Sequence, residues 1–219
     1  MIQGAIFDLD GTLLDSMYIW DNLAIVYLES LGIKPRHDAK PVYDTYGYRG
    51  AVDFLKNEYG VEVTREKYME GVRAILQQYY EEETLPKPGI PEFLERMKQN
   101  DVKMIIATAT FEGMVEPAMK RLGLDGYFSG ILTCQGLGTH KTEPLIYREA
   151  LKILGTEKAK TPVYEDAHYA AKTVKEDGFV LIGISDENEP ERGEVQKLSH
   201  CFIEDYRDLD HYWRFVESL

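Results

Sequence analysis

The stretch Gly4-Ala5-Ile6-Phe7-Asp8-Leu9-Asp10-Gly11-Thr12 constrains this chain more than any other. Its first four residues are small or apolar and predict a short buried strand. Asp8 and Asp10 follow one residue apart, a spacing that in extended backbone puts both carboxylates on one face. Two such charges repel, and one pKa would rise unless a cation sits between them. Gly11 lets the backbone turn sharply just after them. A buried strand that ends in paired carboxylates and a glycine turn predicts a metal site at the carboxyl edge of a sheet. That edge is where open α/β sheets bind their ligands.

The pattern after Asp15 is helical. Met17, Trp20, Leu23, Ala24, Tyr27, Leu28 and Leu31 recur at three- and four-residue steps, and Gly32 is a stop signal. Residues 35–50 read as irregular and tyrosine-rich, with Tyr43, Tyr46 and Tyr48. A short helix is expected over 51–59. Thr64 is a cap candidate for another helix that carries Tyr68, Val72, Ile75, Leu76 and Tyr79 on one face and runs into three glutamates. The stiff segment Leu85-Pro86-Lys87-Pro88-Gly89 marks a boundary. The expected organisation is therefore a helical domain over 16–86, inserted into a domain made of 1–15 and 87–219. In the latter, helices expected at 90–99, 112–122, 143–154, 169–176 and 206–216 alternate with strands at 102–107, 130–133, 162–164, 180–184 and 201–203. That alternation implies a Rossmann-like, doubly wound parallel sheet with helices on both faces.

Composition narrows the function classes. The 219 residues are enough for a sizeable core, and 44% hydrophobic with 29% charged residues is a globular balance. The formal charge of −13 argues against nucleic acid and anionic membranes, whose phosphates need lysine and arginine. Attraction to a phosphate would have to be local. Cys134 and Cys201 form no CxxC pair or disulfide framework and read as two small buried residues in a reducing compartment. No basic stretch followed by an apolar run opens the chain, and no apolar run approaches membrane-spanning length. A cytoplasmic protein is expected. No long exposed apolar stripe demands a partner, so a monomer is expected, with a weak dimer as the alternative.

Four stations fall at one edge of the expected sheet, each at or after a strand: Asp8 with Asp10, Thr108, Lys141, and Glu165 with Asp166. Strands of a parallel sheet point one way, so these side chains can converge. A hydroxyl, a lysine and several carboxylates together describe a magnesium-dependent phosphate site. Magnesium takes oxygen ligands and keeps substrate phosphate in its octahedron, and the lysine supplies a point charge.

The same stations, in this order, resemble the haloacid dehalogenase superfamily across almost the whole chain. Asp8-Leu9-Asp10-Gly11-Thr12 is similar to its first motif, Thr108 to the second, and Lys141 to the third. Glu165-Asp166, followed by Ala170-Ala171-Lys172, is similar to the fourth. The helical insertion resembles the family's first type of cap domain. The resemblance implies a phosphatase acting on a small phosphorylated metabolite. Asp8 would attack phosphorus to give an aspartyl-phosphate, and Asp10 would serve as general acid and then base. Thr108 would hydrogen-bond a phosphate oxygen, and Lys141 would offset negative charge. Mg2+ would be held by Asp8, Asp166 and the backbone carbonyl of Asp10, with Glu165 acting through a water. The cap would close over the substrate and select the leaving group. Two departures stand out. His140-Lys141-Thr142 replaces the usual Gly-Lys-Pro, and Ala167, His168 and Ala170 stand where relatives often carry serine and glycine.

The remaining candidates have two readings each. Ala109, next to Thr108, joins Thr108 and Lys141 as a substrate-contact candidate. Tyr48 and Arg49 would contact the leaving group, or else pack the cap and its surface. Trp20 reads first as core of the helical domain, and second as a substrate contact. His140 and His168 read as exposed loop residues, with a proton donor or substrate contact as the sharper alternative. Two other functions remain open. A phosphomutase of the beta-phosphoglucomutase type would return the phosphate to a second hydroxyl; such enzymes often carry valine or isoleucine where this chain has Thr12. A catalytically idle binding module on the same fold would need none of the four stations.

Overall fold

The computed structural model describes residues 1–36 and 43–219, with the backbone alone over 43–49. The first strand, β1 (Gly4–Phe7), is buried along its whole length. The chain then enters a run of helices: α1 (Met17–Asp21), α2 (Leu23–Ser30), α3 (Tyr43–Tyr59) and α4 (Arg65–Glu82). After these come α5 (Ile90–Gln99), β2 (Lys103–Thr108), α6 (Val115–Arg121), β3 (Phe128–Thr133), α7 (Cys134–Leu137) and α8 (Leu145–Leu154). The last part carries β4 (Val163–Glu165), α9 (His168–Glu176), β5 (Leu181–Ile184), α10 (Arg192–Leu198), β6 (Cys201–Ile203) and α11 (Asp210–Glu217).

The six strands form one sheet in the order β3-β2-β1-β4-β5-β6, and every neighbouring pair is parallel. Alternate side chains of β1 serve opposite faces, as a period of two requires. Ile6 joins a core with Ile105, Ile146, Ala150, Val163, Val174, Leu181 and Val195, beneath α8, α9 and α10. Phe7 joins an aromatic cluster instead. Its ring stacks on Tyr164 at 4.2 Å and meets Phe93 edge-on at 6.1 Å. Tyr212, from α11, closes that cluster with a 2.6 Å hydroxyl contact to Tyr164. Both layers are therefore anchored on the strand that ends at Asp8. This is the doubly wound α/β architecture expected from the alternation of elements.

By internal contacts the chain divides into two units, Met1–Asp15 with Leu85–Leu219, and Ser16–Thr84. Exit from and return to the first unit lie side by side. The Asp15 N–H donates to the Leu85 carbonyl at 2.9 Å, and the Lys87 N–H to that of Leu13 at 2.9 Å. Among its described residues, the secondary structure of the second unit is helical. Its buried centre includes Tyr27, Leu28, Leu55, Tyr68, Val72, Leu76 and Tyr80. Thr64 does cap α4, accepting from the Lys67 N–H at 3.3 Å.

Several expected elements change. The first helix breaks at Asn22, whose side-chain amide shares the Tyr18 carbonyl, at 2.9 Å, with its own backbone N–H, at 3.2 Å. Helix α3 starts at Tyr43 rather than 51. Gly47 and Gly50 weaken the local signal, but a helix anchored by buried Ala51 and Leu55 propagates back through them. The short helices α7 and α10 were not expected, being too brief for periodicity to register. Cys134 is buried as expected, but Cys201, on the edge strand, is only half-buried. Among the described residues no helix is long and apolar enough to cross a membrane.

Candidate active site

In the sheet order, β2 lies on one side of β1 and β4 on the other, so the carboxyl end of β1 is the topological switch point. Asp8 follows β1 directly, and its N–H donates to the Tyr164 carbonyl of β4 at 3.0 Å. Gly11 takes φ 76°, a left-handed value that glycine adopts without strain, and the turn closes with its N–H on the Leu14 carbonyl at 2.9 Å. Thr108 ends β2, and Glu165 ends β4 with Asp166 next. Lys141 arrives from the loop between α7 and α8.

Four of the expected residues converge in the interior. The Lys141 ammonium is ion-paired with Asp8 Oδ1 and lies 2.6 Å from Glu165 Oε1. Asp8, Glu165 and Asp166 each offer an oxygen within 4.8 Å of the other two, and all three residues are buried. Asp166 is held by Thr12, whose hydroxyl donates to Oδ1 at 2.7 Å. Thr108 is tied to Asp10 by a relay. Its hydroxyl donates to Thr110 Oγ1 at 2.9 Å, and the Thr110 hydroxyl donates to Asp10 Oδ2.

The electrostatics follow from burial. Desolvation raises the pKa of Asp8, against the pull of Lys141 and with the push of Asp10. Burial, then Asp8 and Glu165, raises that of Asp166. Burial likewise raises Glu165, against Lys141. For Lys141 burial alone would favour the neutral amine, but Asp8 and Glu165 outweigh it and the net shift is upward. The lysine is thus a fixed cation. With all three carboxyl groups ionised, the cluster around the one ammonium would carry two uncompensated negative charges, which a divalent cation would offset. Glu165 Oε2 is buried with no hydrogen-bond partner, a costly state for an ionised oxygen. An all-oxygen donor set suits a hard cation. These residues therefore fit the expected metal.

The other candidates are not all gathered here. Ala109 is exposed beside Thr108. Trp20 belongs to the helical unit, where its indole N–H donates to the Tyr80 hydroxyl at 3.0 Å. The side chains of Tyr48 and Arg49, with those of Tyr43 and Tyr46, lie outside the described residues. His140 is exposed; His168 is half-buried, with Nδ1 2.8 Å from Glu191 Oε2. Three contributors escaped the sequence reading of the site: Tyr147, Thr110 and the hydroxyl of Thr12. Tyr147 sits where helical periodicity reads plain core, so sequence offers no signal for it. Thr110, two residues past a strand-end threonine, offers a weak one through hydroxyl–backbone turn chemistry. The Thr110 N–H indeed donates to Thr108 Oγ1 at 3.0 Å.

A separate cavity of about 480 Å3 opens at the edge of β5 and β6. Its cations are spoken for: Lys87 pairs with Asp186 at 2.9 Å, Arg192 with Glu204, and Arg207 with Asp205 at 2.5 Å.

Fold and site together define a class, a doubly wound α/β protein with a lysine and clustered carboxylates at its switch point. The chain belongs to the haloacid dehalogenase-like hydrolase family, whose model matches residues 5–184. It is 31% identical over 192 residues to a phosphoglycolate phosphatase of Neisseria gonorrhoeae, covering 84% of this chain and 80% of that one. It is 24% identical to a phosphorylated carbohydrates phosphatase of Thermotoga maritima, covering 83% and 84%. Among solved structures, a Thermotoga maritima protein provisionally called a beta-phosphoglucomutase superposes with TM-score 0.81 at 21% identity, covering 97% and 99% of the two chains.

Proposed function

We propose that this chain is a magnesium-dependent phosphatase that hydrolyses a small phosphorylated metabolite through an aspartyl-phosphate on Asp8. The observation that carries this reading is the Lys141 ammonium bridging Asp8 and Glu165 within the buried carboxylate cluster. Asp8, Asp166 and the Asp10 carbonyl would hold the ion, with Glu165 reaching it through a water. When bound, Mg2+ would neutralise carboxylate and phosphate charge, so that an anionic nucleophile can approach an anionic phosphoryl group.

The chain's own residues account for the rest. An Asp8 carboxylate oxygen forms a bond to phosphorus as the bond from phosphorus to the leaving oxygen breaks. Asp10, in its protonated form, gives that oxygen its proton. Asp10 then takes a proton from water as the water oxygen attacks phosphorus, and the bond to Asp8 breaks. Inorganic phosphate leaves with Asp8 restored. Lys141 favours the ionised form of Asp8 and offsets charge on the transferring group. Thr108 hydrogen-bonds a phosphate oxygen. The helical unit is assigned the role of a cap that selects the leaving group, with Tyr48 and Arg49 as its contacts. The net charge of −13 supports a small substrate over a nucleic acid.

The names of the two curated relatives put phosphoglycolate and phosphorylated sugars first in a substrate panel. The test is phosphate release from that panel and from an aryl phosphate, with and without Mg2+. Asp8→Asn should abolish release, and survival of magnesium-dependent release in that variant would remove Asp8 as nucleophile. A sugar 1-phosphate separates hydrolysis from transfer: interconversion of isomers without free phosphate would make the chain a mutase.

A further inference from the structure

The Glu165 carboxylate is held in an unequal way. Its Oε1 accepts from Lys141 at 2.6 Å and from the Tyr147 hydroxyl at 2.7 Å, while its buried Oε2 accepts from nothing. A carboxylate oxygen has two lone-pair sites, so these two donors fill Oε1. The terminal torsion of a glutamate is broad, and one lysine shared with Asp8 would leave the group free to turn either oxygen toward it. Tyr147 removes that freedom. It projects from the first turn of α8, is fully buried, and meets Phe179 edge-on at 6.4 Å. Phenylalanine would fill nearly the same volume, so packing alone does not call for the hydroxyl.

We infer that Tyr147 is a positioning residue for Glu165: its hydroxyl occupies Oε1 together with Lys141, which reserves Oε2 for a water of the cation that Asp8 and Asp166 would hold. This rests on the metal-dependent reading above. The rival account is that a buried phenol merely borrows the nearest acceptor, and the two differ in what the cation feels. Partners behind a metal ligand are worth roughly 10–100-fold in metal affinity.

The test is Tyr147→Phe in the full chain, with Mn2+ as the probe, read by electron paramagnetic resonance without substrate. Mn2+ should bind at least about tenfold more weakly than to the unsubstituted protein, while the metal-free thermal midpoint moves by only a few degrees. In a Glu165→Gln background the same change should alter Mn2+ affinity less than about twofold, because the residue acts through that carboxylate. Unchanged Mn2+ affinity in Y147F, or an equal loss in both backgrounds, overturns the inference and leaves the metal site standing. A Y147F chain that does not fold makes the hydroxyl a stability element and overturns it too. If the unsubstituted protein itself binds no Mn2+, the metal reading falls first and this inference with it.

Discussion

The Thr110 hydroxyl donates to the Asp10 carboxylate and itself accepts from the Thr108 hydroxyl. If Asp10 shuttles the proton, the relay fixes which way its carboxylate points. Thr110→Val removes that donor while keeping the shape. A hydrogen bond to a charged group is worth about 1.5–3 kcal/mol, so kcat should fall roughly ten- to a hundredfold. Thr110→Ser should recover most of it, and steady-state kinetics on both variants read the result. A different residue governs acid stability. Asp177 takes the Arg148 guanidinium through Nε at 3.1 and 3.2 Å and Lys158 Nζ at 3.0 Å. The Arg148 hydrogen bond first, and Lys158 after it, hold its pKa below the usual value. A depressed carboxyl stabilises the fold fully above its unfolded pKa of about 4, and that share is lost as pH falls through the lower folded value. Asp177→Asn should therefore cost at most about 1 kcal/mol at neutral pH, and the gap should close toward pH 3 in urea titrations.

At the scale of elements, the strand ends do most of the positioning. Strand β5 pairs Gly183 with Glu165 on one side and with Phe202 on the other. A Cβ at Gly183 would lie 2.1 Å from Ser199 Oγ and 2.8 Å from the Phe202 ring. Gly183→Ala must therefore push β6 or the end of α10 away from the strand that backs Glu165. Overpacking of this kind costs roughly 1–3 kcal/mol, which a denaturant midpoint measures. The strands were legible because each is an apolar run closed by turn residues, and β1, β2 and β4 appear within a residue or two of the expected limits. The helix break at Asn22 and the early start of α3 were not legible. At Asn22 a side-chain amide shares a helical carbonyl, and at α3 glycines are carried by anchored neighbours; neither leaves a periodic signal.

For the whole molecule, the proposed metal dependence carries a stability prediction: an ion held at the buried carboxylate cluster would stabilise the native state. An ion that binds only the folded chain at a hundred times its Kd adds about 2.7 kcal/mol. For a chain of this length that is a rise in Tm of roughly 5–10 °C. Mg2+ should raise the midpoint by that order, a chelator should reverse it, and Asp166→Asn should respond less. A Tm indifferent to Mg2+ at every concentration would count against the site. Sequence alone determined the succession of strands along the chain and the chemical types at the four stations, because periodicity, turn residues and strand-end spacing are local properties of the chain. Only the tertiary structure decided that Lys141 lies between Asp8 and Glu165, that Thr12 holds Asp166, and that Thr110 and Tyr147 reach the carboxylates. Those contacts join residues far apart in the chain, and the register of the sheet and the burial of each hydroxyl, which no local pattern encodes, set which atoms meet.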